Sequence, residues 1–259
     1  MVELDQVGEQ LPLALARLHR SLRAGTAVTL CIRHRPPAPI TIPTLLAGAG
    51  FDSTGQDRRR TRGGLDIVRA VRARTLADTV GPGMQILFCG FNPSLHAADS
   101  GVAYSGPGNR FWPAALAAGL VSRDRDPVHA LTHHGVGLTD LVKRATPRAS
   151  DLATDELHDG LGRVDDLSRA LRPAAVCMVG LGAWRAVTDR AARAGHQTRS
   201  LGGAPVYVMP STSGLNARSG LDELVEHLDA VKALATTERG PGEHAGNRSS
   251  GYGQGRDRR

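Results

Sequence analysis

Three short apolar runs, at residues 85–90, 175–180 and 205–209, are separated by stretches with helical spacing, and this alternation constrains the chain more than any other feature. Runs this short are strand-sized, and their continuous apolar character means that both faces are covered. Strands alternating with helices predict a parallel sheet layered on both sides by helices. The expected fold class is therefore α/β, a three-layer α/β/α arrangement with a short central parallel sheet over residues 84–236. One helix is expected to begin near Asn109, with Phe111, Trp112, Ala115 and Leu116 on its inner side. A second runs from Glu156 to Leu171 and stops before Pro173; a third contains Trp184. Ser219 can cap the last helix, with Asp222 three residues on, and Leu221, Leu224, Val225, Leu228 and Val231 line one face. In sheets of this kind the working loops lie beyond the carboxyl ends of the strands.

The flanks differ in texture. Residues 1–83 are Arg-rich and end in the turn Gly81-Pro82-Gly83. They read as a small α/β extension: helical spacing from Leu11 to Leu22, a strand-like stretch from Ala27 to Arg33, then residues 45–51, then a strand at Ile67 to Val71. Arg58, Arg59, Arg60 and Arg62 form a basic cluster that either contacts DNA or is simply solvated. Residues 237–259 hold Gly, Ser and Arg with almost nothing apolar, and are expected to form a disordered tail.

Lys and Arg outnumber Asp and Glu by 32 to 25, giving a net charge of +7. Such a balance suits a polyanionic partner, because neutralising phosphates releases counterions; it is also common in Arg-rich proteins that never meet nucleic acid. Cys31, Cys89 and Cys177 make no CxxC pair and no metal or cluster spacing. His133 and His134 are adjacent, so their side chains diverge and read as a surface pair. No metal and no cofactor are expected. Without a signal-like or membrane-length apolar segment the expected location is cytoplasmic, on the nucleoid if the source is bacterial, and nothing demands more than a monomer.

Three loops can carry chemistry. Gly90-Phe91-Asn92-Pro93-Ser94 directly follows a strand; taken alone, Asn-Pro is a common turn. Residues 101–112 form a Gly-rich loop that feeds a helix and holds one aromatic, Tyr104, which can stack on a base or plug the loop against the core. Residues 209–218 place one apolar side chain, Leu215, among small polar residues, where it can wedge into a duplex or tuck into the core.

In this order, Gly-x-Asn-Pro-Ser, Pro-Gly-Asn-Arg-Phe-Trp and Pro-Ser-Thr-Ser-Gly-Leu resemble the mismatch-specific uracil/thymine DNA glycosylases, a branch of the uracil-DNA glycosylase superfamily. The segment from Gly137 to Pro147 also looks like that family's middle segment, and the resemblance covers about residues 84–235. It implies a catalytic role for Asn92, which would position the attacking water. It implies base contacts from Phe91 through its backbone N–H, from Tyr104 by stacking and from Ser211. It implies a duplex-entering loop of Gly214, Leu215, Asn216 and Ala217. Lys143 and Arg144 either touch phosphates or form a solvated loop end. The partner implied is double-stranded DNA carrying a G·U or G·T mismatch.

The side chains are consistent with such chemistry. A neutral Asn amide holds a water but has no useful basicity, so cleavage must be largely dissociative and lean on N–H donors to the departing base. Uracil should leave more readily than thymine. Two positions depart from relatives: Met209 stands where the faster uracil-specific branch has His, and Ala217 stands where some members have Arg, a role Arg218 can take over. No lysine stands where Schiff-base chemistry would need it, which predicts a monofunctional enzyme leaving an abasic site. The alternative is a protein that binds lesions without cutting. Over residues 1–83 the order of elements, including Leu-Leu-Ala-Gly-Ala-Gly-Phe at 45–51, resembles the C-terminal fragment of a Rossmann-like methyltransferase, without the cofactor loop such an enzyme needs.

Overall fold

The computed structural model describes residues 2–4, 10–33, 40–53, 58–62, 64–216 and 218–238. Ala217 and residues 239–259, most of the expected tail, lie outside the described residues.

The extension contains β1 (Val2–Leu4), α1 (Leu11–Ser21), β2 (Ala27–Arg33), α2 (Ile42–Gly48), β3 (Phe51–Asp52), β4 (Arg58–Arg60) and β5 (Leu65–Arg72). Its sheet has the order β1-β2-β5-β3, with β4 also paired to β5. β1 runs parallel to β2, whereas β2, β3 and β4 run antiparallel to β5. Thr41 caps α2 by accepting from the Thr44 N–H. Arg58, the first residue of the basic cluster, is tied to the buried carboxylate of Asp66 at 2.8 Å.

The second unit contains β6 (Ile86–Gly90), α3 (Leu95–Ser100), α4 (Phe111–Ala117), α5 (Pro127–His134), β7 (Val136–Asp140), α6 (Thr154–Leu171), β8 (Ala175–Val179), α7 (Leu181–Val187), β9 (Gly195–His196), β10 (Val206–Met209) and α8 (Leu221–Glu238). The sheet order is β7-β6-β8-β10-β9, all parallel except the short β9. This is the expected α/β fold with a central, mostly parallel sheet flanked by helices. The sheet has five strands rather than the three legible as apolar runs. β7 escaped notice because its sequence, Val-Gly-Leu-Thr-Asp, mixes glycine and polar residues into a fully buried strand.

Alternate strand residues face opposite layers. Ile86, Phe88, Cys177 and Tyr207 pack with Phe111, Trp112, Leu224, Leu228 and Val231 of α4 and α8. Leu87, Cys89, Met178 and Val208 face the layer of α6 and α7, with Val164, Leu167 and Trp184. Leu11 and Leu15 of α1, Leu45 and Leu46 of α2, and Leu30, Ile32 and Val68 of the extension's sheet belong to this same cluster. The extension therefore shares a core with the second unit.

Two expected core positions are corrected. Leu116 is 37% exposed and Leu221 40% exposed, because each sits at the solvent margin of its helix while its neighbours turn inward. Ser219 places its hydroxyl on Glu223, and the Leu224 N–H bonds the Gly220 carbonyl, so the start of α8 is organised one residue later than expected. α8 runs through Glu238, so Thr237 and Glu238 belong to it. No helix among the described residues is long and apolar enough to cross a membrane.

Candidate active site

The carboxyl ends of β6, β7 and β10 open toward one set of loops, and the loop after β6 is zipped to the loop after β7. Leu141 and Val142 donate main-chain N–H groups to Gly90 and Phe91, and Thr146 donates to Pro93. Into this seam Asn92 directs its amide nitrogen. Nδ2 donates to the Arg144 carbonyl at 2.9 Å and to Thr146 Oγ1 at 2.8 Å, with Pro93 O at 3.3 Å. The Thr146 hydroxyl spends its own proton on Arg148 O at 2.7 Å, so it meets Asn92 only as an acceptor. Three acceptors around one amide fix its orientation: nitrogen inward, Oδ1 outward. The outward oxygen can hold a water by one of its protons. Ser94 then caps α3 by accepting from Ala97 N–H, which ends the seam at a helix start.

Beside Asn92, the Phe91 N–H makes no hydrogen bond among the described residues, which leaves a backbone donor at the strand end. Tyr104 is stacked on Phe111, with ring centroids 4.2 Å apart and planes 23° from parallel. The Trp112 indole N–H grips Ala103 O at 2.8 Å and so anchors this loop, in which Tyr104 adopts a left-handed φ of 55°. Its hydroxyl is buried and unpartnered among the described residues, and burial, with Asp140 nearby, holds its proton well above the ordinary range. A Cβ on Gly90 would stand 2.6 Å from Asp140 Oδ1 and 3.2 Å from the Tyr104 hydroxyl, so a larger residue there would have to displace the Asp140 carboxylate.

The loop after β10 is organised by Arg110. Its Nη2 donates to Ser213 O at 3.1 Å and Asn216 O at 2.5 Å, and Nη1 donates to Ser219 O. Asn216 closes the loop internally by donating to Ser211 O at 2.8 Å. Ser211 accepts from the Ser213 N–H. The outcome is a held loop whose tip, Leu215, is 96% exposed rather than tucked into the core. Gly214 meets Gly108 backbone to backbone, where a Cβ would lie 3.0 Å from the Gly108 carbonyl oxygen, so this loop and the Tyr104 loop abut. Arg218 is exposed. Met209 is fully buried and presents no donor.

Lys143 and Arg144 are committed to intramolecular partners. Lys143 Nζ lies 2.6 Å from Asp78 Oδ1 and is largely buried, while Arg144 makes a two-point contact with Glu156 at 2.7 and 2.8 Å. Arg163 adds a second cation to Asp78 at 2.8 Å. Burial pushes the Asp78 carboxyl upward, but Arg163 and Lys143 outweigh it and hold it below the ordinary range. Asp140 has the opposite fate: burial dominates and raises it to about 6. Beside the Lys143–Arg144 turn lies a groove of about 620 Å³, whose far wall is Gly50, Asp52, Ser53 and Arg74 of the extension. A larger cavity of about 830 Å³ sits at the opposite, amino end of the sheet and is remote from Asn92.

A sequence model described as the Uracil DNA glycosylase superfamily matches residues 77–234, more than half of the chain. The chain belongs to the uracil DNA glycosylase superfamily. The glycosylase is also similar to a solution NMR structure described as a candidate uracil DNA glycosylase from Methanosarcina acetivorans. That likeness has 23% identity and a TM-score of 0.45, and covers 63% of this chain and 98% of that one. Superfamily membership supports DNA glycosylase activity, with DNA as the partner.

Sequence reasoning missed several residues that organise this glycosylase site. Arg110 was visible within Pro-Gly-Asn-Arg-Phe-Trp but its partners, about a hundred residues away, were not. Thr146, Thr75 and Asp78 gave no local signal. His133 and His134 lie near His129, whose Nε2, like that of His134, bonds Ser122 Oγ; no group of His, Cys, Asp and Glu among the described residues could hold a metal.

Proposed function

We propose that the chain is a monofunctional mismatch-specific glycosylase, hydrolysing the N-glycosidic bond of a flipped-out uracil opposite guanine and leaving an abasic site. Thymine and modified cytosines are further candidate substrates of the same site. The observation that carries this reading is the Asn92 amide, with its nitrogen held by Arg144, Pro93 and Thr146 and its oxygen left for a water. A neutral oxygen aims a water at the sugar's anomeric carbon without removing its proton beforehand. Bond breaking must therefore run ahead of water attack, and the departing base must be stabilised as it gains negative charge.

Two donors suit that role: the Phe91 N–H and the Ser211 hydroxyl, whose oxygen already accepts from Ser213. With Met209 buried, no imidazole assists, so uracil, the better leaving group, is favoured over thymine. Tyr104, which already stacks on Phe111, is the aromatic assigned to the extruded base, and exposed Leu215 supports filling the gap that base leaves in the duplex. Asn216 and Gly214 shape that loop, while Arg218 is exposed beside it and available to the opposite strand. Lys143 and Arg144 act through the turn they build rather than as free phosphate contacts.

The test is excision from end-labelled duplexes carrying one G·U, A·U or G·T pair, with Asn92→Ala alongside. Alkali-labile breaks at G·U, lost by orders of magnitude in the variant, are expected. Tight binding of the G·U duplex without any break would replace this reading with that of a lesion-binding protein.

A further inference from the structure

We propose that Thr75 and Asp78, on the segment linking the extension to the catalytic sheet, are positioning residues for Asn92. The extension then sets the rate of base excision and does more than help the chain fold. This rests on the reading of Asn92 given above.

The chain of contacts is short. Thr75 is 2% exposed, and its hydroxyl donates to the main-chain oxygen of Lys143. Asp78 is 4% exposed and receives the Lys143 ammonium at 2.6 Å, together with Arg163 at 2.8 Å and the Thr139 hydroxyl at 2.7 Å. Lys143 is thus gripped at both its backbone and its side chain by residues three apart on one segment. The next carbonyl along, that of Arg144, is the one that receives Asn92 Nδ2 at 2.9 Å. Glu156 holds the Arg144 guanidinium from the other side, so the turn has little freedom except through Lys143.

The gripping segment is itself fastened to the extension. Ala73 N–H bonds Gly50 O, and Asp78 N–H bonds Gly48 O at 2.7 Å. Gly50 has φ +80°, and a Cβ there would lie 2.7 Å from Thr75 Cγ2 and 2.6 Å from His19 Nε2, so Thr75 is seated directly against the extension. Thr75 precedes residues 77–234, the span matched by the superfamily model. The excision centre therefore draws one of its supports from outside that span. Displacing a positioning group by about 1 Å can cost up to roughly a hundredfold in rate.

Thr75→Val keeps shape and removes only the donor; Thr75→Ser restores it. Single-turnover release of uracil from a G·U duplex at saturating protein should fall about ten- to a hundredfold in Thr75→Val, with duplex affinity unchanged. The rate should recover in Thr75→Ser. Combined with Asn92→Ala, Thr75→Val should cause no further loss, because it acts through the missing amide. A wild-type rate in Thr75→Val, or an equal fractional loss in the Asn92→Ala background, would overturn the proposal. If the wild-type protein releases no uracil, the functional reading fails separately. The positioning claim is then decided by the Asn92 side-chain amide resonance, assigned by its absence in Asn92→Ala. That resonance should shift in Thr75→Val and not in Thr75→Ser; an unshifted signal refutes it.

Discussion

Arg110 donates to the main-chain oxygen of Asn216 across 2.5 Å, bracing the loop from beneath the exposed tip at Leu215. The same guanidinium reaches Ser213 and Ser219, so one side chain ties three carbonyls between β10 and α8. Arg110→Lys keeps the charge but cannot span three carbonyls. It should cost about 2 kcal/mol of stability, the scale of a charged hydrogen bond lost, and make the loop a faster protease target. Limited proteolysis with mapping of the first cut checks this; unchanged cleavage between residues 211 and 218 would refute it.

Leu215 contributes almost nothing to folding at 96% exposure. Leu215→Ala should leave the melting temperature unchanged while weakening binding to a G·U duplex by about tenfold, the equivalent of 1.4 kcal/mol. A matched affinity loss on undamaged duplex would argue instead for a general contact.

Thr146→Val removes the acceptor that shares Asn92 Nδ2 with the Arg144 carbonyl. The amide should then sample the flipped orientation, and excision at saturating protein should slow by about tenfold or more. Duplex affinity should not change. Equal rates for both proteins would show that the Arg144 and Pro93 carbonyls suffice to fix the amide.

Asp140 provides a pH signature. Burial raises its carboxyl to about 6 in the folded protein, above the ordinary value of 3.8. The folded state then binds more protons between those values, so stability from this group is full below pH 3.8 and is lost as pH rises through 6. Asp140→Asn should therefore stabilise the protein at pH 8, on the order of 3 kcal/mol, and give little gain below pH 4. Denaturant melts at the two pH values decide it.

His19 has the reverse sign. Its buried ring packs edge-on against Phe51 and lies 3.2 Å from the Ala73 carbonyl; burial, helped by Arg72, lowers its pKa to about 4. The unfolded chain takes up the proton first, so stability is complete above pH 6.5 and drains away as pH falls toward 4. His19→Gln should flatten that slope in thermal melts, and an unchanged slope would exclude His19 as its source.

The alternation of apolar runs and helices was enough to foresee the layered sheet, because burial on both faces writes itself into consecutive residues. The loops after β6 and β10 were legible for a related reason: their small and polar residues interrupt that pattern at a strand end. β7 was not legible, since this edge strand, buried along its whole length, carries Gly137, Thr139 and Asp140 without alternating. The support around Asn92 was hidden for a different cause. Thr75, Asp78 and Thr146 are ordinary residues whose role depends on partners more than fifty positions away. Whether Lys143 and Arg144 meet phosphate or solvent could not be read from the sequence, because the acids beside them, Asp78 and Glu156, are not their chain neighbours.

The seam between the extension and α6 leaves little room for change. Pro12, Ile40, Leu45, Ala49, Val80 and Leu167 surround a gap of only about 10 Å³, too small to shelter a spare methyl group. The two sides are coupled by packing: a larger residue on α2 would need a smaller one facing it on α6. Removing the extension would bare Leu167 of α6 to solvent, and grafting it elsewhere would require an apolar residue to meet it there.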